Sequence, residues 1–406
     1  MASIMLPNQL GVSQETPGAV VPSHVHLQFL DGLRGIMALY VVFHHVAMEL
    51  RYAFQGGGIP NAVFSALKWL DFGHYAVDVF IVLSGYCLMI PVAKSGGILR
   101  GGFLNYIKRR SRRILPPYYA ALILSVALIG LRGVFERYSG FQPAYSGYRL
   151  SLGSFFSHLF LLHNLNRAWV TEINAPMWSI AIEWQIYFLF PILLILWRRF
   201  GFAALSVAVF GVGFAPHYLF HGFLDWTYPW YIGLFVMGMA GSTVNFSSIS
   251  RLRSWQTRVP WGRGAAILGL GFLTFGSLHG GWYADHRWIA DPVVGLATVC
   301  LLVYCSRAVQ SRNEADYPFV LRLFDTRYAV ALGAFSYSLY SIHYPLIDLV
   351  DHLLYVAHTP PLWRVATMFA VVIPGIVACA YLFSKVFERR WQTPVDRKTL
   401  LFKFSD

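Results

Sequence analysis

Residues 74–93 read HYAVDVFIVLSGYCLMIPVA, a run of 20 residues in which Asp78 is the only charged side chain. A helix needs about 20 mostly apolar residues to cross the hydrocarbon core of a bilayer, because it rises about 1.5 Å per residue. A helix also satisfies its own backbone hydrogen bonds where water is absent. The run therefore predicts a transmembrane helix that carries a carboxylate inside the membrane.

Nine other apolar runs have a similar length. They lie near 30–49, 114–132, 178–197, 201–220, 226–242, 262–279, 288–305, 333–356 and 363–386. The stretch 154–163 is too short to span and is interpreted as an interfacial or re-entrant piece. The sequence thus predicts an all-α integral membrane protein, a bundle of about ten transmembrane helices.

The composition of the whole chain supports this interpretation. Of 406 residues, 56% are hydrophobic and 13% are charged, whereas soluble domains carry about 25% charged residues. A soluble enzyme is therefore excluded. The cysteines fall inside predicted spans without paired spacing, so we expect neither a disulfide framework nor a metal site. They are Cys87, Cys300, Cys305 and Cys379.

The residues that give the net charge of +13 are concentrated in particular connections of the chain. Most of the 32 Lys and Arg residues fall in alternate connections between the predicted spans, the densest being 94–113. By the positive-inside rule, that side is cytoplasmic and both termini lie there. This placement accounts for the basic excess by topology, so no nucleic-acid partner is expected.

The ends of the chain differ from its middle. Residues 1–26 are polar and hold no Lys or Arg, so they do not form a secretory signal peptide and are expected to be a mobile tail. The membrane domain is expected to cover 27–392, and 393–406 to form a cytoplasmic tail. Nothing in the sequence indicates the oligomeric state.

The first apolar run places two ionisable residues on one face. At about 100° per residue, the step from Arg34 to His45 returns to within about 20° of the same direction, about 16 Å deeper. His44 points about 80° away. This spacing predicts that Arg34 and His45 face a common cavity. The alternative is that His45 only forms a hydrogen bond to a neighbouring helix, as a single histidine in a membrane helix often does.

Other predicted spans hold carboxylates, where charge is costly and each ionisable group is a functional candidate. They are Asp78, Glu183, Asp291, Asp348 and Asp351. Asp78 is either a site residue or the buried partner of an Arg or His. Glu183 lies below Trp178 and indicates a site group or a proton carrier. The neighbouring pair Ser84 and Gly85 favours close helix packing, since small residues let backbones approach.

Two further segments carry polar side chains at the edge of a span. Arg109, Arg110, Arg112 and Arg113 precede Pro116 and Pro117. Guanidinium groups match phosphate in a bidentate manner, so the cluster suits a phosphorylated ligand. It also suits membrane orientation or anionic lipid headgroups. The prolines are expected at the start of a helix.

The second segment, Ser336 to Pro345, forms a polar helix face that includes His343. This histidine is either a site residue or a hydrogen-bonded packing residue.

Together these segments resemble the acyltransferase-3 family of integral membrane acyltransferases over roughly 27–392. The resemblance rests on Leu30-Asp31-Gly32-Leu33-Arg34 with His45, on Val77-Asp78 with Ser84-Gly85-Tyr86, on the arginine segment leading to Ile114 and Pro116, on Trp178-Ser179 with Glu183, and on Ser336-Tyr337-Ser338-Leu339-Tyr340 with His343 and Pro345. Mild departures from the family pattern occur at Ala76, Ile81 and Ser341.

The resemblance implies transfer of an acyl group, usually acetyl, from cytoplasmic acyl-CoA to a hydroxyl of a carbohydrate or other glycosylated acceptor. No permanently bound cofactor and no metal are expected. The expected acceptor is a cell-surface or exported polysaccharide or its lipid-linked precursor, and the expected location is the inner membrane of a bacterium. Some relatives carry an extracellular hydrolase-like domain. Because this sequence ends at Asp406, we expect the membrane domain to act alone or with a separate partner.

The resemblance also assigns roles. The ten-residue spacing from Arg34 selects His45 over His44 as the essential histidine. His45 is expected to act as general base, with Glu183 or Asp78 orienting it, and an acyl-histidine intermediate is the alternative. Arg34 would bind CoA or polarise the thioester. A subset of Arg109, Arg110, Arg112 and Arg113 would hold the CoA phosphates. Further candidates are Ser84, Tyr86, Trp178, Ser179, Tyr337 and His343.

Two alternatives remain open. One is acylation of a secreted small molecule, such as a macrolide or glycolipid. The other is a transporter or flippase of sugar-lipid intermediates, which would show coupled ion sites and related halves. No internal repeat of that kind is evident in the sequence.

Overall fold

The computed structural model describes residues 27–54, 60–139, 150–311 and 317–391, with Asn313 and Ala315. Within these residues the secondary structure is helical and includes no strand, as the sequence predicts. The predicted tails, 1–26 and 393–406, lie outside the described residues.

The described residues form sixteen α-helices. These are α1 Gln28–Ala53, α2 Asn61–Ala66, α3 Tyr75–Lys94, α4 Gly102–Ser139, α5 Leu152–Leu159, α6 Met177–Leu219, α7 Tyr231–Phe246, α8 Ser250–Arg258, α9 Trp261–Leu278, α10 Gly280–Asp285, α11 Arg287–Ser311, α12 Phe319–Phe324, α13 Arg327–Gly333, α14 Ser336–Val356, α15 Pro361–Thr367 and α16 Ile373–Phe387.

In the described chain, six helical segments are long and apolar enough to cross a membrane. They are Gln28–Ala53, Lys68–Lys94, Gly102–Val134, Met177–Leu219, Arg287–Ser311 and Pro361–Phe387. The pair Asp225–Phe246 and Ser250–Arg258, bent by 99°, makes a seventh if it counts as one span. A multi-pass helical membrane protein is therefore confirmed. The count of ten spans and the cytoplasmic termini stay predictions.

One long helix joins two of the predicted runs. Helix α6 covers 43 residues, about twice the length that a bilayer requires. Gly201 interrupts it with φ 81° and ψ 170°, which are not helical values. This break separates 178–197 from 201–220, the two runs that the sequence indicates.

The arginine segment 109–113 lies inside helix α4 and does not precede it. Helix α4 begins at Gly102, so Pro116 and Pro117 lie well inside it. The expectation that these prolines open the helix is wrong, because the preceding basic residues continue the helical turns from the surface into the span. A proline lacks the N–H that would bond the carbonyl four residues earlier.

Helix α3 lies at the centre of the bundle. In its candidate span 78% of the residues are buried, compared with 28% in Pro361–Phe387 at the periphery. Helices α3 and α7 approach closely through glycines. A Cβ at Gly85 would lie 2.1 Å from Phe235 O, and one at Gly238 would lie 2.1 Å from Val82 O. This confirms that Gly85 serves close helix packing.

The short helix α5 is hydrogen-bonded at its C-terminal end to the middle of α4. Ser151 and Ser154 form a capping box at its start. The hydroxyls of Tyr118 and Tyr119 donate to the carbonyls of His158 and Leu159 at 2.8 and 2.9 Å. With eight residues the helix is too short to span, as expected.

Candidate functional site

A central cavity opens between α1, α3, α4, α6 and α14. It holds about 830 Å³ of space that no atom of the chain fills. Apolar side chains form part of its wall. The polar lining residues are Arg34, Ser84, Arg110, Arg113, Ser179, Glu183, Tyr187, Ser336, Tyr337 and Tyr340. The structure thus brings together predicted site residues from all five segments of the sequence that carry the resemblance.

Helix α1 supplies Arg34 to this cavity. Its Nη1 donates to Asp31 Oδ1 at 3.0 Å, and its Nη2 donates to Cys87 Sγ at 3.0 Å. The bond to Cys87 holds the guanidinium against α3, and the bond to Asp31 lies within α1. Cys87, interpreted from the sequence as a small core residue, lines the cavity and holds the arginine.

Helix α6 supplies the carboxylate of the cavity. Tyr187 donates its hydroxyl hydrogen to Glu183 Oε1 at 2.5 Å, and Tyr187 and Ser84 share a hydrogen bond of 3.0 Å. Sequence reasoning did not select Tyr187, although its i+4 spacing from Glu183 places both on one helix face. The hydrogen bond between Tyr187 and Ser84 connects α6 to α3 across the cavity.

The four arginines of α4 divide into two pairs. Arg110 and Arg113 line the central cavity, whereas Arg109 and Arg112 do not. Arg110 is half-buried, and the other three arginines are exposed. Arg110 Nε is buried and has no hydrogen-bond partner among the described residues. An unpaired guanidinium at a cavity wall is a ready donor for an anion.

Tyr340 lies between the cavity and a pair of histidines, His45 and His343, that do not line it. The expectation that Arg34 and His45 face one cavity therefore holds for Arg34 and not for His45. The hydroxyl of Tyr340 hydrogen-bonds Ser179 Oγ at 2.7 Å, and its ring lies 5.8 Å from the ring of His343. Tyr337, another predicted candidate, lines the cavity and donates to Ile114 O at 3.2 Å.

The histidine pair has a defined protonation pattern. His343 Nδ1 contacts the carbonyl oxygens of Leu339 and Tyr340 at 3.1 and 2.8 Å. Since carbonyls only accept, this Nδ1 carries the hydrogen and Nε2 is an acceptor. His45 Nδ1 lies 3.0 Å from that Nε2 and 3.0 Å from Val41 O. His45 Nδ1 therefore carries the hydrogen, and Nε2 of His45 is left as the basic nitrogen.

This pairing changes the expected orientation of His45. The sequence assigned the orienting role to Glu183 or Asp78, whereas the contacts of His45 Nδ1 are to Val41 O and His343. Glu183 bonds Tyr187 in the cavity. His44 is held separately, through a 2.7 Å contact with Leu70 O.

Asp78 lies in another cluster. One donor atom each of His74, Asp78 and Asp291 lies within 4.8 Å of the others. Both aspartates are fully buried. Sequence reasoning noted Asp78 and Asp291 separately and missed His74, although the i, i+4 spacing of His74 and Asp78 is a usable signal.

Two remaining candidates lie outside the lining of the cavity. Tyr86 is buried and bonds Ser306 Oγ and Asn245 Nδ2, both at 2.6 Å, which indicates a packing role. Trp178 stacks on Tyr228 with ring centroids 4.6 Å apart and on His74 at 5.9 Å.

The lining carries three guanidinium groups and one carboxylate, so it favours an anionic ligand that also offers an apolar or neutral portion. A multi-pass helical bundle with such a site defines a class of membrane protein that handles a charged substrate inside the bilayer.

The chain belongs to the acyltransferase-3 family, whose profile, described as an acyltransferase domain, matches residues 27–385. It is 27% identical over 179 residues to the "Putative peptidoglycan O-acetyltransferase YrhL" of Bacillus subtilis, which covers 42% of this chain and 24% of that protein.

Two further relatives match with similar identity. Acyltransferase MdmB of Streptomyces mycarofaciens is 27% identical over 184 residues, 44% of this chain and 41% of the relative. O-acetyltransferase OatA of Staphylococcus aureus is 25% identical over 175 residues, 42% of this chain and 25% of the relative. The matched part thus spans less than half of each of these relatives. No solved structure matches the chain.

Proposed function

We propose that this protein is a membrane O-acetyltransferase that moves an acetyl group from cytoplasmic acetyl-CoA to a hydroxyl of a surface carbohydrate. Membership of the acyltransferase-3 family supports acyl transfer. The observation that carries the proposal is the central cavity, which runs from Arg110 and Arg113 to Tyr340, beside the His343–His45 pair.

The donor end of the cavity suits coenzyme A, which is rich in phosphate. Arg110 and Arg113 are the arginines of α4 that reach the cavity, so they hold the phosphates in the proposal, and Arg109 and Arg112 do not. A topology of ten spans with cytoplasmic termini puts these residues on the side where acyl-CoA is made. Arg34 then polarises the thioester oxygen as negative charge develops there.

The reaction balances without a metal or redox partner. Nε2 of His45 takes the proton of the acceptor hydroxyl as that oxygen bonds the acetyl carbon. The carbon–sulfur bond breaks, and the proton passes from the imidazolium to the CoA sulfur. His343 holds His45 in the required tautomer, which is the role of the orienting member in a catalytic triad. An acyl-histidine intermediate would use the same Nε2 as nucleophile.

The proposed acceptor is a cell-surface or exported polysaccharide, or its lipid-linked precursor, and the proposed location is the inner membrane of a bacterium. Support for a carbohydrate comes from the name of one relative, a putative peptidoglycan O-acetyltransferase.

The test compares two neighbouring histidines in purified full-length protein. With acetyl-CoA and a glycan fragment, His45→Ala should lower acetyl transfer by about 100-fold or more, because general-base catalysis contributes about 10²- to 10⁴-fold. The matched control, His44→Ala, should retain most of the activity, since its ring contacts Leu70 O instead.

Near-normal transfer by both variants would remove His45 from the mechanism. Failure of the unchanged protein to cleave acetyl-CoA, with or without acceptor, would contradict acyl transfer from CoA. A transporter of sugar-lipid intermediates would give that second result.

A further inference from the structure

The His74 cluster, formed by His74, Asp78 and Asp291, has no role in the proposed acyl transfer. Its donor atoms come from three places in the chain: the end of the 3₁₀ turn Lys68–His74, the first turn of α3 and the first turns of α11. All three atoms lie within 4.8 Å of one another. The fold therefore gathers one imidazole and two carboxylates at one point.

The carboxylates of this cluster are buried without adequate partners. Asp78 and Asp291 each have 0% exposure. Among the described residues, neither oxygen of Asp78 accepts a hydrogen bond of ordinary geometry, and Asp291 Oδ1 also lacks one. The Tyr231 hydroxyl faces Asp78. A buried carboxylate oxygen without a hydrogen bond is costly, so these three oxygens are expected to serve a ligand.

The charges around the cluster do not cancel while His74 is neutral, the form in which an imidazole binds a metal. Arg287 interacts electrostatically with both aspartates, and its guanidinium donates to the Tyr228 hydroxyl. Two carboxylates thus face one guanidinium and a histidine. A bound cation would supply the missing positive charge.

The geometry fits a metal ion. Two ligands of one tetrahedral ion lie about 3.4 Å apart when each bond is about 2.1 Å. Asp291 Oδ1 lies 3.6 Å from His74 Nε2. The other oxygen, Asp291 Oδ2, accepts a 2.8 Å bond from Trp230 Nε1, which orients the carboxylate as outer partners of metal ligands do.

The cluster also has an entry path. A second cavity, with about 520 Å³ of atom-free space, reaches His74 and Arg287. Lys68 and Asp71, which are exposed, line the same cavity, so it opens at the surface. An ion can reach the imidazole from outside without passing through the central cavity.

We propose that His74, Asp78 and Asp291 bind one divalent transition-metal ion. One nitrogen and two carboxylate ligands suit Zn²⁺ or Mn²⁺ better than Mg²⁺, which prefers oxygen ligands alone. The ion ties α3 to α11. Because Trp178 at the start of α6 stacks on His74, the ion also steadies the helix that carries Glu183 into the central cavity.

The experiment measures metal content directly. Full-length protein, purified in detergent on a tag without histidines, is stripped with a chelator, dialysed against Zn²⁺ and analysed by mass spectrometry for bound metal. Binding of Co²⁺ is followed in parallel by its visible absorption. One ion per chain is expected. Asp78→Asn, Asp291→Asn and His74→Gln should each weaken binding at least about tenfold, because each removes one ligand.

The matched control is Asp225→Asn. It removes the carboxylate of another histidine–aspartate pair, in which His217 Nδ1 and Asp225 Oδ2 lie 2.8 Å apart. This variant should bind the ion as the unchanged protein does.

Three results would overturn the site: no ion retained by the unchanged protein, binding that persists equally in all three ligand variants, or equal loss in the Asp225→Asn control. Should the buried asparagine variants fail to fold, thermal unfolding of the unchanged protein decides. Zn²⁺ should raise its unfolding temperature and Mg²⁺ should not, and an equal response to both ions would contradict the proposal.

Discussion

Helix α3 forms a wall of two polar regions, the central cavity and the His74 cluster, that differ in charge and in access. The cavity is lined by three guanidinium groups and one carboxylate in about 830 Å³ of space. The His74 cluster holds two carboxylates and one imidazole within 4.8 Å. Adjacent residues, Val77 and Asp78, serve the two regions.

The difference shows how a membrane protein separates unlike ligands on one helix. Successive residues on a helix point about 100° apart, so a single turn can present one face to an anionic substrate and another to a cation. Burial makes each region depend on its ligand, since charge inside a bilayer requires a partner.

The largest expected effect comes from removing one carboxylate from each of the two regions and comparing the results. Glu183→Gln removes the only carboxylate that lines the cavity among the described residues and weakens the bond it accepts from Tyr187. It should lower the kcat of acetyl transfer by up to about 100-fold, because a hydrogen bond to a charged group is worth up to about 3 kcal/mol. Asp291→Asn should lower it much less, while abolishing the bound metal ion. Thioester cleavage and metal content, measured on both variants, check the two expectations.

The comparison fails if both variants lose both properties in parallel while remaining folded. That result would join the cavity and the His74 cluster into one site, contrary to their separate linings.

A smaller effect is expected at His343, which positions His45. His343→Phe keeps an aromatic ring but removes the acceptor, and should lower kcat about tenfold to 100-fold with little change in the KM for acetyl-CoA. His343→Gln offers an amide oxygen to His45 Nδ1 and should recover part of the loss. Equal losses in both variants, or a change confined to KM, would indicate a packing role instead.

The sequence predicted much of this architecture because apolar length and charge spacing act locally. The runs at 74–93 and 288–305, and the break near Gly201, follow from hydropathy and glycine. Helical phase put Arg34 and His45 on one face of their helix, and of the two only Arg34 lines the cavity. None of these inferences requires knowledge of which helices are neighbours.

Partner choice could not be predicted in the same way. The pairing of His45 with His343 joins α1 to α14, and that of Asp78 with Asp291 joins α3 to α11. Helical phase gives a direction for each side chain but does not say which helix lies there. For this reason the sequence left Asp78 as either an orienting residue for His45 or the buried partner of another Arg or His, and the structure places it in the His74 cluster.

A third region, the stack formed by His158 and His163, is expected to make the folded protein less stable at acidic pH. The two rings lie 3.8 Å apart at 7°. Burial lowers the pKa of His158 from 6.5 to about 4 and holds the pKa of His163 well below 6.5. Between pH 6.5 and 4 the unfolded chain therefore binds protons that the folded chain does not, so stability falls as pH falls.

Replacing His158 by Asn, which can keep the 2.8 Å bond to Ser154 O, should remove part of this acid sensitivity. From pH 6.5 to 5, the unchanged protein should lose about 2 kcal/mol more than His158→Asn, since each pKa unit is worth about 1.4 kcal/mol. Unfolding at several pH values measures the difference. His286→Asn, which alters a similar 2.9 Å bond to Trp282 O, is the matched control and should behave like the unchanged protein. Identical pH dependence in all three proteins would contradict the role of the stack.

The smallest expected effect concerns the division among the arginines of α4, and it tests the cationic end of the central cavity. Arg110→Gln combined with Arg113→Gln should raise the KM for acetyl-CoA about tenfold, because charge-assisted bonds to phosphate are worth about 1.5–3 kcal/mol and glutamine retains a neutral donor. The matched control, Arg109→Gln with Arg112→Gln, removes the same charge from positions that do not line the cavity and should change KM little. Measuring the binding of CoA to both double variants distinguishes a specific phosphate site from general electrostatic attraction. If the two pairs weaken binding equally, the basic segment acts through general attraction and membrane orientation. A loss confined to Arg110 and Arg113 would instead locate the phosphates at the cavity wall.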